Sequence, residues 1–117
     1  QANQVQDVGF SRYLIGPDRA LAFIALVVFA PVFEEIIFRG WLLSHLKNTT
    51  GKSLAILLTS IIFGIAHGQW NVGVNVFGLS LILCYLRELT GSLYASIFLH
   101  MIKNCIAFYL MYVVGFA

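Results

Sequence analysis

Charge is what this chain has least of. Lys and Arg number 7 and Asp and Glu 5 in 117 residues, 10% of the whole, against roughly 25% in soluble domains. With 60% of its residues hydrophobic, a water-soluble monomer would lack the polar groups to cover its own surface. The composition therefore excludes one and indicates an integral membrane protein with lipids as its surroundings. A net charge of +2 is too small to hold nucleic acid by its phosphates, and no such partner is expected. Cysteine is also scarce. Cys84 and Cys105 sit in apolar stretches without metal-ligand spacing and read as small buried thiols, which leaves the redox compartment open. A signal peptide is missing too, because no charged start is followed by an apolar core. The first residue is Gln1, so the chain is expected to be a processed form or a fragment, with further membrane helices elsewhere in the protein.

What is present is apolar sequence in long runs. Residues 1–19 read as an interfacial N-terminal segment, with Phe10, Tyr13 and Leu14 beside Arg12 and Arg19. Gly16-Pro17-Asp18 forms a turn in which Asp18 is a good N-cap. Residues 20–117 form the transmembrane core. The first helix is predicted over Arg19 to Leu46 and carries Pro31 inside it, where a missing N–H should kink it. A second helix is predicted from Ser53, its cap, to His67, a third from Val72 to Leu86 and a fourth from Ser92 to Val114. The second and third are short for a full span and should be tilted and packed against neighbours. Gly64 and Gly68 offer a small-residue surface for close helix contact. Trp41, His45 and Lys47 mark the far interface of the first helix. Arg12 and Arg19 on one side against Lys47, Lys52 and Arg87 on the other do not fix an orientation. The fold expected is an all-α, multi-pass bundle of about four helices, in the plasma membrane of a prokaryote or in an organelle membrane.

Against that background the polar residues inside the apolar runs stand out. Glu34, Glu35 and Arg39 lie within the first helix, where each charge costs on the order of 3 kcal/mol at mid-membrane. Such groups are kept where they face a protein interior or a wet cavity. Glu35 and Arg39 are four apart and share a helix face, so they can pair. Glu34 points about 100° away and is left as the freer carboxylate. Phe63 and His67 share a face of the second helix, and His100 and Asn104 a face of the fourth. Buried polar groups need partners, and a common cavity serves all of them at once. Glu34 with His67 could deprotonate a water there, while His100 and Asn104 donate hydrogen bonds to an oxyanion. Glu34, His67 and His100 could alternatively hold Zn²⁺ with a site open for water. A His-Glu-x-x-His signature is absent. A peptide-binding scaffold or immunity protein without catalysis, or a proton- or ion-conducting protein, would place similar residues in a membrane.

Three motifs occur in order: Glu-Glu-x-x-x-Arg at Glu34, Glu35 and Arg39; Phe-x-x-x-His at Phe63 and His67; and His-x-x-x-Asn at His100 and Asn104. In this the chain resembles the CAAX prenyl protease and bacteriocin-processing family (CPBP, also called Abi) of intramembrane proteases. The resemblance implies an all-helical membrane core that hydrolyses peptide bonds of membrane-associated substrates, either prenylated CAAX proteins or bacteriocin-like peptides. It also implies roles. Glu34 is the main catalytic carboxylate with His67 as partner, His100 and Asn104 stabilise the oxyanion, Glu35 and Arg39 support the site, and Phe63 contacts substrate. No metal is expected in this reading. Lys103, inside the third motif, departs from the family pattern.

Overall fold

A computed structural model describes residues 14–115, and all regular structure among them is helical. The described residues form four helices: α1 (Gly16–Thr50), α2 (Lys52–Ala66), α3 (Trp70–Thr90) and α4 (Tyr94–Val114). Phe10, Arg12 and Tyr13 of the expected interfacial segment lie outside the described residues. Leu14 is within them and packs on the core.

The helix ends follow from local chemistry, and several differ from expectation. α1 starts at Gly16, whose φ of +59° only glycine takes easily, with Pro17 in the first turn. Asp18 is therefore inside the first turn rather than at the cap. At the other end α1 continues past Leu46 because Thr49 and Thr50 return their hydroxyls to the carbonyls of His45 and Leu46 at 3.1 and 2.9 Å. Gly51, at φ +87°, both ends α1 and opens α2, so Ser53 does not cap. α3 begins at Trp70 and runs 21 residues to Thr90, longer than expected, and Gly91 in the left-handed region stops it. Three helices, α1, α3 and α4, are thus long and apolar enough to cross a membrane. Only α2, with 15 residues, remains short.

Pro31 is accommodated by a change of winding. The six residues Ile24–Phe29 just before it form a wider π turn, in which the Ala30 N–H reaches back five residues to the Ala25 carbonyl. A second π stretch, Ile36–Leu42, follows Glu35 and includes Arg39. Such stretches open the backbone locally and recur at functional sites. Here both flank the acidic pair.

Packing closes the bundle in a ring. The first half of α1 lies on α4 through Ala22, Val27, Phe108 and Tyr112. Its second half meets α2 and α3 at Leu43, Ala55 and Cys84. Between these clusters Phe63, Val72 and Val76 pack with Phe38. The exterior is as informative as the core. Phe29, Phe33, Ile36 and Ile37 are exposed on α1 while Glu35, Arg39, Thr59, Ser60, Ser80 and Ser96 are fully buried. Apolar outside and polar inside is the arrangement a lipid surrounding favours.

The closest helix approach is between α2 and α3, and it uses a different glycine pair from the one expected. A Cβ on Gly64 would lie 2.9 Å from the Gly73 carbonyl oxygen, and one on Gly73 3.0 Å from that of Gly64. Gly68 has open space around it and serves the turn, at φ +70°. Because the obstructing atoms are backbone, an added methyl must push the helices apart. Gly64→Ala is expected to destabilise the fold by about 1–3 kcal/mol, read as a lower thermal midpoint in detergent. A midpoint equal to wild type would show that the two helices part freely.

Candidate active site

The site lies where α1, α2 and α4 meet at the level of the acidic pair. Arg39 is its deepest charge. It is fully buried, with Nη1 3.4 Å from Glu35 Oε1, Nη2 donating to Ser80 Oγ, and the guanidinium 4.3 Å from the centre of the Phe63 ring. The Glu35–Arg39 pair is the one that four-residue spacing predicts. It leaves Glu35 fixed between two helices. His100 of α4 donates from Nδ1 to Glu35 Oε1 at 3.0 Å, and its Nε2 lies 3.3 Å from Glu34 Oε2. The two carboxylates therefore hold one imidazole from both ends. Glu35 is sealed from solvent, whereas the Glu34 side chain keeps 33% of its surface exposed. Glu34 is the carboxylate open to the cavity.

His67 ends α2. Its Nδ1 pairs with the Phe63 carbonyl at 2.8 Å. When Nδ1 is the donor, Nε2 keeps a lone pair for another group. Asn104 donates from Nδ2 to the Leu26 carbonyl at 2.9 Å. Glu34, His67, His100 and Asn104 all line one cavity of about 100 Å³, walled otherwise mainly by aliphatic and aromatic side chains. One water needs about 10–15 Å³ of such space, so the cavity can hold several.

A zinc shell of Glu34, His67 and His100 needs three donors converging on one point. Among the described residues no three His, Cys, Asp or Glu side chains do so, and His100 turns both ring nitrogens to glutamates. The arrangement does not fit that shell.

Residues 16–106, spanning all three motifs, match the family of type II CAAX prenyl endopeptidases described as Rce1-like. The chain belongs to this family. The Rce1-like chain is 30% identical over 84 residues to the Bacillus subtilis protein named "Putative membrane peptidase YdiL", covering 72% of this chain and 34% of that one. It is 31% identical over 90 residues to an "Uncharacterized 24.3 kDa protein" of Escherichia coli, covering 73% of this chain and 42% of the other. The chain thus spans well under half the length of either relative. No solved structure matches it at a significant level.

Within the Rce1-like core, the expected residues divide into two groups. Glu34, His67, His100 and Asn104 face the cavity; Glu35, Arg39 and Phe63 stand behind it. Phe63, expected against substrate, is 1% exposed and does not line the cavity. It is enclosed by Phe38, His67, His100 and the Arg39 guanidinium, so it packs the site instead of reaching into it. Sequence reasoning missed one contact of the site and left one residue uninterpreted. Ser80 holds Arg39 from α3, and a lone serine in an apolar run gives little signal. Lys103 lines the cavity, and its signal was present, since a cation in that run must find a reason to be there.

Proposed function

We propose that this chain is the catalytic core of an integral membrane endopeptidase that hydrolyses peptide bonds through a water activated by Glu34 and His67. The observation that carries the reading is the convergence of Glu34, His67, His100 and Asn104, from three helices, on one small cavity inside apolar spans. In this mechanism the water gives its proton to Glu34 as its oxygen bonds the carbonyl carbon, and the π pair becomes an oxyanion. His67 orients the water through its free nitrogen. His100 holds Glu34 in place, and Asn104 donates to the oxyanion. Collapse restores the carbonyl, breaks the C–N bond, and the leaving amine takes the proton back from Glu34.

The substrates proposed are prenylated peptides of CAAX type, which the family's description supports, or bacteriocin-like peptides. Both matched relatives are bacterial proteins, which favours a prokaryotic plasma membrane. The test uses the full-length protein in detergent with prenylated and unprenylated peptides, read by mass spectrometry. New fragments from one class, lost in Glu34→Gln, support the reading. Peptide binding without fragments would make it a scaffold.

The proposed mechanism uses no metal. Activity is expected to survive chelation followed by dialysis. A loss of activity that stoichiometric Zn²⁺ restores would overturn this part, because an ion that both activates water and polarises the carbonyl is not dispensable.

A further inference from the structure

Among the described residues Lys103 is the one lysine or arginine lining the cavity, three residues after His100 and one before Asn104 on α4. An ammonium inside a membrane span is costly unless something anionic meets it. Among the described residues no carboxylate lies within ion-pair distance of Lys103; the charge whose field reaches it is Glu34, which lines the same cavity.

The cavity is short of donors for an oxyanion. Both nitrogens of His100 are turned to glutamate oxygens. One Asn104 N–H is given to Leu26, which leaves its other hydrogen. The backbone N–H groups of α4 at this level are inside the helix and bonded within it. We propose that Lys103 Nζ is an oxyanion donor of this site, acting beside Asn104. The inference rests on the hydrolytic reading above.

The charge balance of the step fits this placement. In the resting cavity the negative charge is on Glu34. As Glu34 takes the proton from water it becomes neutral, the new C–O bond forms, and the same unit of negative charge appears on the carbonyl oxygen. Lys103 then faces the anion that forms. Lys103 makes no ion pair with Glu34 beforehand, so a hydrogen bond from Nζ to the oxyanion would be made only as the charge moves, the condition for raising kcat.

The test compares wild type, Lys103→Met, Lys103→Arg and Glu34→Gln on one cleaved peptide, with thermal midpoints measured in the same detergent. Lys103→Met is expected to lower kcat by roughly 100-fold with KM changed little, and Lys103→Arg, which keeps the charge, to recover most of it. A phosphonamidate peptide, whose anionic tetrahedral centre imitates the intermediate, should bind wild type and Lys103→Arg tightly and lose that advantage in Lys103→Met. The binding readout stands even where turnover is low. Unchanged kcat in Lys103→Met, or a rise in KM alone, overturns the proposal while an inactive Glu34→Gln leaves the hydrolytic reading standing. Full activity in Glu34→Gln overturns the hydrolytic reading itself.

Discussion

Replacing Glu34 by glutamine is expected to lower peptide turnover on the order of 1000-fold while leaving the fold intact. The substitution keeps size and shape, so the side chain still reaches His100 Nε2, which lies 3.3 Å from Glu34 Oε2. What is lost is the ability to accept a proton, and general-base catalysis contributes roughly 100- to 10,000-fold. Stability should hardly change, because Glu34 is partly exposed and is not the partner of Arg39. The measurement is turnover by mass spectrometry beside a thermal midpoint in the same detergent. A drop below tenfold would remove Glu34 from the role of base. A large drop accompanied by unfolding would instead make it a structural residue.

The second large effect belongs to Arg39 and is one of stability. Arg39→Met leaves Glu35 fully buried, with only His100 as an ionisable partner, and removing one member of a buried pair costs about 3–5 kcal/mol. The double variant Glu35→Leu with Arg39→Met removes both charges and is expected to recover most of that loss, because an apolar pair of similar volume needs no partner. Activity should not return with it. Without Glu35 the imidazole of His100 loses its Nδ1 acceptor, and Glu34 is no longer held by a fixed ring. Unfolding of the two variants and the wild type in detergent, together with turnover, separates these effects. If Arg39→Met is as stable as wild type, the pair is not what holds α1 against α3 and α4. If the double variant is fully active, Glu35 has no part in positioning His100.

Much of the architecture was legible because it depends on composition and local spacing. The four helices and their order follow from long apolar runs broken at Gly51, Gly68 and Gly91. Boundaries were read less well. Asp18 and Ser53 look like caps, yet Pro17 and Gly51 start their helices earlier. The sequence pattern ends α3 at Leu86 because Arg87 and Glu88 look like loop residues, but Glu88 extends the helix and meets Lys47 of α1 at 3.0 Å. A polar turn at a bundle end can stay helical when another helix supplies its partner.

Sequence by itself determined the membrane class, the all-helical bundle and the Glu35–Arg39 pair, because each depends on composition or on residues within one turn of a single helix. It also placed Glu34, His67, His100 and Asn104 on helix faces, since their positions along each helix fix the angle. The angle at which one helix faces another is not encoded in that spacing. Only the tertiary structure decided that His100 sits between both glutamates, 65 positions away from Glu35. The same holds for Asn104 bonding the Leu26 carbonyl, Ser80 taking Arg39, and Gly64 meeting Gly73. Rotation and depth of each helix are set by how side chains of all four interlock, and a turn of one helix by a single residue, about 100°, would send Lys103 or Asn104 to lipid instead of the cavity.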